Sequence, residues 1–293
     1  MIEVSVNQNS RPTSDHLCLA RSLRLRCIWV ALPIVLVVAL SVAPTSHAQP
    51  THAAWSELLQ RCVVETFDGH STAVDYDCFG ASQQPLDDYL ATLSDVPRTE
   101  FDQWARDERL AFLINAYNAW TVALILSAWP DLESIKDLGN FLRSPWKKAF
   151  IPLFGDEISL DDIEHGMIRA PGRYDDPRIH FAVNCASIGC PALRREAYTT
   201  ESLDEQLEDQ TRRFLADRSR NRLQGDRLAL SPLFDWYAVD FDRNWRGTGN
   251  RRGFLARYAE SLGLNTTQTG ELQSGELGLD FLPYNWSLNA VRR

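Results

Sequence analysis

A long run without charge is the feature that most constrains how this chain can fold. Residues 110–129 contain no Asp, Glu, Lys or Arg, and Pro130 follows directly. A helix of this length could span a bilayer, but Asn115 and Asn118 would then each need a hydrogen-bond partner within hydrocarbon. We therefore predict a buried central helix over residues 99–129, ended by the proline, with its two amides facing polar groups or a cleft.

The start of the sequence has the composition of a cleavable export leader. Four arginines in residues 1–26 precede an apolar run, and small residues follow at positions 46–48, where a signal peptidase would cut. We predict a signal peptide over residues 1–48, with cleavage after Ala48 and a periplasmic or secreted product. An uncleaved membrane anchor is the alternative.

The rest of the chain, residues 49–293, contains no linker or internal repeat, so we predict a single domain. Residues 178–184 alternate between apolar and polar side chains, which predicts a strand. Other helices are expected at residues 55–65, 85–93, 163–169, 200–216, 232–241 and 253–262, and other strands at 149–154 and 227–230. A hairpin-like stretch is expected from the turn at Asp68-Gly69 to residues 74–76. Because helices and strands do not alternate strictly, an α+β fold is expected. It should pack a long central apolar helix with several shorter helices around a small mixed sheet.

The charge of the chain limits its partners. The formal net charge is −9, and a surface of this sign repels phosphate backbones. We therefore expect no nucleic-acid partner and no stable membrane span after cleavage. The expected partner is an unknown peptide, envelope component or small molecule, and no cofactor is expected.

Four cysteines lie outside the predicted leader: Cys62, Cys78, Cys185 and Cys190. In an oxidising compartment an even number favours disulfides, with near neighbours in sequence as natural partners. Cys62 and Cys78 flank a turn-rich stretch, which favours a structural disulfide. Cys185 follows the end of the predicted strand, where reacting side chains often lie.

A cysteine nucleophile needs an imidazole base and a group that orients the imidazole. The candidates are His180 and His165 as bases and Asn115, Asn118 or Glu164 as orienting groups. The backbone amides of residues 187–189 are candidates for an oxyanion pocket. Two other interpretations stay open: a tight structural disulfide between Cys185 and Cys190, or a zinc site formed by these cysteines with both histidines.

Several short motifs occur in one order along the chain. They occupy residues 113–119, 158–166, 180–185, 190–191, 236–237, 240–241 and 284–289. Together they resemble the family catalogued as domain of unknown function 547, over nearly all of the chain after the leader. The resemblance implies no established reaction. It marks the Asn115 and Asn118 helix, the Glu164-His165 pair and residues 180–190 as signature parts, and glycine is common in the family where Ala186 stands here.

The sequence therefore predicts a thiol-dependent hydrolase or acyl transferase. Cys185 would be the nucleophile, His180 or His165 the base and Asn115 the orienting group, in a cleft that also contains Glu164. The alternative is a non-catalytic peptide- or envelope-binding module that two disulfides stabilise. Both hypotheses require the central helix, the helix at residues 163–169 and the segment ending at Cys185 to converge.

Overall fold

The computed structural model describes residues 50–139 and 144–291, which belong to one compact unit. The predicted signal peptide lies outside the described residues. The α-helices of the described part are α1 (Ala53–Cys62), α2 (Tyr76–Gly80), α3 (Gln83–Ser94), α4 (Arg98–Phe101), α5 (Arg106–Leu126), α6 (Leu203–Ala216), α7 (Leu233–Trp236), α8 (Ala238–Phe241), α9 (Arg251–Arg257), α10 (Ala259–Leu262) and α11 (Thr266–Ser274). Four short 3₁₀ helices and one π-helix lie between them: Ile135–Leu138, Pro145–Lys147, Pro177–Phe181 and Trp245–Gly247 as 3₁₀ helices, and Asp162–Ile168 as the π-helix.

Three small sheets complete the α+β fold. Their strands are β1 (Val63–Glu65), β2 (Thr72–Val74), β3 (Ile151–Leu153), β4 (Asp156–Ile158), β5 (Arg222–Gln224), β6 (Arg227–Leu230) and β7 (Gly278–Phe281). β1 with β2 and β3 with β4 form antiparallel hairpins, whereas β5, β6 and β7 form a mixed sheet in which β6 and β7 run parallel. The predicted fold class is confirmed, although the strands are divided among three sheets.

The predicted central helix is α5. Its first turn carries Asp107 and Glu108, acids that favour a helix start, and the Glu108 carboxylate accepts a hydrogen bond from the Ala105 amide at 3.1 Å. Fourteen of its 21 residues are buried. Among the described residues α5 is the one helix long and apolar enough to cross a membrane, and most of its apolar window is buried within the protein. That burial is typical of a core helix.

Most other predicted elements are present with shifted ends. The segment at residues 63–65, predicted as helix, forms β1 and pairs with β2 across the expected turn. Residues 232–241 and 253–262 each form two short helices instead of one, and residues 99–129 divide into the short α4 and the long α5. Position and type of these elements follow local patterns, whereas their ends follow packing.

The predicted strand at residues 178–184 was wrong, because Pro177–Phe181 forms a 3₁₀ helix. Pro177 suits the first turn of a helix, and the Asp176 carboxylate accepts a hydrogen bond from the Arg178 amide at 3.0 Å. The apolar alternation has another cause. Ile179 packs in the larger hydrophobic core around α5, whereas Phe181 packs in a second core formed by α6 to α11. The segment thus lies between two cores.

The C-terminal segment crosses back to the middle of the chain. Leu288 forms an antiparallel bridge with Ser187, and Ala290 forms a parallel bridge with Val74. The Asn289 amide donates to the Ala186 carbonyl at 3.0 Å. This crossing places the side chains of residues 284–289 beside the loop that contains Cys185.

Candidate functional site

Both predicted cysteine pairs are disulfides: Cys62 with Cys78, and Cys185 with Cys190. The second pair has polar surroundings. The Tyr284 hydroxyl lies 3.2 Å from the Cys185 sulfur and 3.3 Å from the Cys190 sulfur. The Ser187 hydroxyl lies 3.2 Å and 3.4 Å from the same two atoms. The Cys185 amide donates to the Cys190 sulfur at 2.9 Å, so three donor groups surround this disulfide.

The two cysteines of this pair differ in accessibility. Cys190 is buried, whereas Cys185 is partly exposed. The loop between them turns at Ala186, whose φ of 60° lies in the left-handed region that favours glycine. This conformation explains why glycine suits that position in the family that the chain resembles. An attacking group would reach Cys185 first.

The side-chain amides of Asn115 and Asn118 on α5 form hydrogen bonds with backbone groups and do not contact an imidazole. Asn115 donates to the Tyr198 carbonyl at 2.8 Å and accepts from the Tyr198 amide at 2.9 Å. Asn118 donates to the Ala182 carbonyl at 3.0 Å and accepts from the Asn184 amide at 2.8 Å. The predicted polar face therefore meets polar groups, and Asn118 positions the chain just before Cys185.

Asn184 closes the cysteine loop from inside. Its Nδ2 donates to the Pro191 carbonyl at 2.7 Å, and its Oδ1 accepts from the Ala186 amide at 2.9 Å. Asn289 from the C-terminal segment donates to the same Oδ1 at 3.3 Å. The loop is thus fixed at both ends by one buried side chain.

Part of the predicted oxyanion pocket is occupied by this packing. The amide of Ile188 donates to the Ser287 carbonyl at 2.8 Å, and the amide of Gly189 donates to the Asn285 carbonyl at 2.8 Å. Two of the amides named as candidates for an oxyanion pocket are therefore engaged in backbone hydrogen bonds. These amides pair with carbonyl groups of the C-terminal segment, as the amides of an edge strand pair with a neighbouring strand.

Glu164 and His165 lie on the π-helix, a conformation that often occurs at functional sites. The Glu164 side chain is buried and accepts hydrogen bonds from the hydroxyls of Tyr117 and Tyr237, the latter at 2.9 Å. Burial and, after it, the charge of Glu164 raise the pKa of both phenols. Both tyrosines therefore stay protonated and donate to the carboxylate.

His180 is held by a buried carboxylate. Its Nε2 lies 2.9 Å from Asp240 Oδ2, which also accepts from Arg169 Nε at 2.6 Å. Its ring stacks on Tyr237 with a centroid distance of 4.0 Å. Burial alone would raise the pKa of Asp240, but the hydrogen bonds from His180 and Arg169 lower it to about 2.

The protonation of His180 follows from these contacts. Burial lowers the pKa of the imidazole despite the neighbouring carboxylate, so the ring is neutral at pH 7. With Asp240 ionised, Nε2 carries the proton and donates to it. Nδ1 then has a free lone pair and no hydrogen-bond partner among the described residues. A neutral imidazole held by a carboxylate in this way can act as a base.

His165 is exposed, and its ring centroid lies 6.3 Å from that of Tyr237. Its Nε2 is 3.4 Å from Asp161 Oδ1, and its other ring nitrogen contacts Arg169. Neither His165 nor His180 makes a hydrogen bond with the Cys185 sulfur. The structure thus brings both histidines and Glu164 together around Tyr237, while Cys185 lies with Ser187 and Tyr284.

An electrostatic interaction links these two groups of residues. Burial first, and to a smaller extent the charge of Glu164, raise the pKa of Tyr284 to about 12. The hydroxyl that contacts both sulfurs therefore senses the charge of the Glu164 carboxylate. The described residues contain no set of three or more His, Cys, Asp or Glu side chains placed to hold a metal ion.

A cavity of about 180 Å³ adjoins the cysteine loop. Gly189 and Tyr284 line it together with Arg220, Ser231 and Pro232. A Cβ atom on Gly189 would lie 2.8 Å from the Tyr284 ring, so only glycine allows the ring this position. The cavity is thus formed by the same tyrosine that contacts the disulfide.

Sequence reasoning assigned no role to Tyr237, Asp240, Tyr284 or Arg169. The first three fall within the motifs of the resemblance, which was the available signal, whereas Arg169 had none. Arg169 and Asp240 are 71 residues apart, and Cys185 and Tyr284 are 99 apart. No local pattern reports pairs so distant in sequence.

Comparison with known protein families gives a match in the part of the chain that contains the central helix and the cysteine loop. Residues 101–215 match the family model described as "Protein of unknown function, DUF547". This stretch contains α5, the π-helix and the disulfide loop, whereas Tyr237, Asp240 and Tyr284 lie beyond it. No curated protein and no solved structure matches the chain. This match over residues 101–215 supports the resemblance of the chain to the DUF547 family of proteins of unknown function.

Proposed function

We propose that this protein is a thiol-dependent hydrolase or acyl transferase whose nucleophile, Cys185, is latent while it is bonded to Cys190. One observation carries the proposal. The sulfur of Cys185, the more exposed cysteine of this disulfide, lies at 3.2 Å from two hydroxyl groups, those of Ser187 and Tyr284. Hydroxyl donors at this distance stabilise a thiolate more than a thiol, and so lower the pKa of a cysteine.

The first step is reduction of the disulfide. Two equivalents of a small thiol, or one dithiol, are oxidised to a disulfide, and Cys185 and Cys190 become thiols. The Cys185 thiolate then attacks the carbonyl carbon of an acyl donor. A carbon–sulfur bond forms, the bond to the leaving group breaks, and the leaving group takes up a proton. The acyl group then passes to water or to another acceptor, and the thiolate is released.

His180 is the base in this proposal. Asp240 holds one ring nitrogen at 2.9 Å and leaves the other with a free lone pair. The ring does not contact the sulfur, and its Nδ1 is buried, so in this proposal an internal water molecule must carry the proton between them. Glu164 positions the base through Tyr237, on which the imidazole stacks. The cavity of about 180 Å³ beside Gly189 receives the acyl group.

The test compares single-cysteine variants in their folded state. Wild-type protein, Cys185→Ser and Cys190→Ser are incubated with a panel of p-nitrophenyl esters and thioesters, and the covalent acyl adduct is measured by intact mass. We expect an adduct with Cys190→Ser without reductant, with wild type only after reduction, and never with Cys185→Ser. The matched control is Cys62→Ser/Cys78→Ser, which should still depend on reductant. Adducts on Cys185→Ser, or none on folded Cys190→Ser, would refute the proposal.

The alternative is a non-catalytic module that binds a peptide or an envelope component. It is favoured by the engagement of Asn115 and Asn118 with backbone, which makes these amides structural. In that case His180→Ala and Cys185→Ser weaken binding or stability, and no variant loses turnover because there is none. A folded wild-type protein that binds its partner and forms no acyl adduct after reduction, with weaker binding in Cys185→Ser, would support this alternative.

We further propose a periplasmic or secreted location. Two disulfides are compatible with an oxidising compartment. The expected mature protein begins at Gln49. N-terminal sequencing of the protein recovered from the producing cell tests this, and a chain that retains residues 1–48 would contradict it.

A further inference from the structure

The lysines of this chain are concentrated in one place. The sequence contains only three, and they are Lys136, Lys147 and Lys148. The ion pairs within residues 50–139 and 144–291 are all made by arginine or histidine, so none of the three lysines is neutralised by a described acidic side chain. Asp131, Glu133 and Asp137 lie near Lys136 in sequence, whereas residues 144–155 around Lys147 and Lys148 contain no acid, so in a chain of net charge −9 the unpaired positive charge is concentrated at Lys147 and Lys148.

Tryptophans meet the same segment. Trp286 lies between Trp146 and Trp236, with ring centroids 5.7 Å from each. Lys136 Nζ stands 3.7 Å above the centre of the Trp286 ring. Trp146 directly precedes the other two lysines, and Trp236 is 47% exposed. We call these six residues the Lys–Trp surface: Lys136, Trp146, Lys147, Lys148, Trp236 and Trp286.

The two backbone segments that carry Lys136 and Trp286 are joined by hydrogen bonds. The Ser134 hydroxyl donates to the Trp286 carbonyl at 2.7 Å, and the Leu288 amide donates to the Glu133 carbonyl at 2.7 Å. These bonds hold the lysine segment beside the C-terminal tryptophan. The surface is therefore built into the fold and is not a chance meeting of flexible side chains.

Indole rings and lysines together have one preferred environment. An indole combines a large apolar ring with an N–H donor and concentrates where hydrocarbon meets water. Lysine stems lie along apolar surface while their amines reach anionic headgroups. An acidic remainder of the protein is repelled by an anionic bilayer, so charge complementarity selects this surface to face it.

We propose that the Lys–Trp surface docks this protein on an anionic lipid bilayer, with the indoles at the level of the headgroups. Tyr284 contacts Trp286 at a centroid distance of 4.4 Å and also contacts both sulfurs of the Cys185–Cys190 disulfide. Docking therefore places that disulfide next to the lipid. The binding itself does not depend on any thiol chemistry.

The experiment uses the lysines as their own reporters. The full chain is mixed with vesicles of phosphatidylglycerol or of phosphatidylcholine and treated briefly with an amine-acetylating reagent, and lysine acetylation is measured by peptide mass spectrometry. Residues 1–48 contain no lysine, so the leader itself contributes no signal to this readout. We expect protection of all three lysines by phosphatidylglycerol and little by phosphatidylcholine.

Variants make the test specific. Each lysine near an anionic surface contributes about fivefold in affinity, so Lys147→Gln/Lys148→Gln should need about 25-fold more phosphatidylglycerol to protect Lys136. Trp236→Ala should also weaken protection. The matched controls are Phe67→Ala, another exposed aromatic, and Arg98→Gln/Arg106→Gln, which removes two exposed charges elsewhere; neither should change it.

Three results would overturn the proposal. The lysines could react equally with and without phosphatidylglycerol. The variants could protect Lys136 as well as the wild type does. A soluble polyphosphate could protect the lysines as fully as vesicles do, which would assign the surface to a dissolved polyanion.

Discussion

The two disulfides of this protein lie in different surroundings. Cys62–Cys78 joins the end of α1 to α2, and Cys62 is completely buried in the larger apolar core. Cys185–Cys190 closes a short loop whose sulfurs contact two hydroxyls and an amide. Within the described part of the chain, no side-chain hydroxyl makes a hydrogen bond with either sulfur of the first pair, although the Ser82 hydroxyl donates to the Cys78 carbonyl at 2.8 Å.

The surroundings decide what each pair can do. An apolar environment opposes a thiolate, so reduced Cys62 would be a poor nucleophile and its disulfide mainly stabilises the fold. Hydrogen-bond donors favour a thiolate at Cys185. Apolar packing thus stabilises the region around Cys62–Cys78, whereas polar contacts stabilise the region around Cys185–Cys190. Four predictions test this comparison.

The largest expected effect is the loss of the carboxylate beside His180. Asp240→Ala leaves Arg169 and His180 without their buried partner and should lower the free energy of unfolding by about 3 to 5 kcal/mol. Urea denaturation measures this. Asp235→Ala, an exposed position on the neighbouring helix, is the control and should change stability by less than about 0.5 kcal/mol. If Asp240→Ala and Asp235→Ala lower the free energy of unfolding equally and only slightly, charged contacts do not stabilise this region.

Removing each disulfide compares the regions directly. Cys62→Ala/Cys78→Ala opens the longer loop and should cost about 3 kcal/mol, against about 2 kcal/mol for Cys185→Ala/Cys190→Ala, because a longer loop loses more chain entropy when it is closed. Non-reducing urea denaturation of both double variants gives the two values. The reverse order would assign the main stabilising role to the polar region.

Acid should weaken the polar region through Asp240. The folded pKa of about 2 lies below the unfolded value of 3.8, so the stabilisation is complete above about pH 4 and is lost as pH falls towards 2. The loss over this range amounts to about 2 kcal/mol. Asp240→Asn should lack this part of the acid dependence. Parallel stability profiles of wild type and Asp240→Asn would contradict the assignment.

The smallest effect concerns reduction of the native protein. The thiolate that leaves is stabilised by donors only in the Cys185–Cys190 pair, so dithiothreitol should open it at least about tenfold faster than Cys62–Cys78. Alkylation at timed intervals and mass spectrometry measure both rates. Tyr284→Phe removes one donor and should bring the two reduction rates closer together. If Tyr284→Phe leaves the ratio of the two rates unchanged, the faster reduction of Cys185–Cys190 is due to its accessibility alone.

Local patterns predicted much of the fold. The uncharged run predicted α5, the Asp68-Gly69 turn predicted the β1–β2 hairpin, and sequence proximity predicted both cysteine pairs. Each of these depends on residues close in sequence. The strand at residues 178–184 failed because Ile179 and Phe181 alternate towards two different cores. Alternation alone cannot distinguish that arrangement from the two faces of a sheet.

The site was predicted in part. Cys185, His180 and Glu164 do lie in polar contacts near α5, and their catalytic roles remain predictions. The immediate partners of these residues, Tyr284 and Asp240, come from segments that are distant in sequence. Their identity depends on how α8 and the C-terminal segment pack against the cysteine loop.

By itself the sequence determined the helices, the turns and the pairing of near cysteines, because backbone preference and short loop closure act over a few residues. Only the tertiary structure decided which sulfur is surrounded by donors and which by apolar side chains. Those contacts join atoms about 3 Å apart across as many as 99 residues of chain. Distances of that kind are set by the packing of two hydrophobic cores against each other.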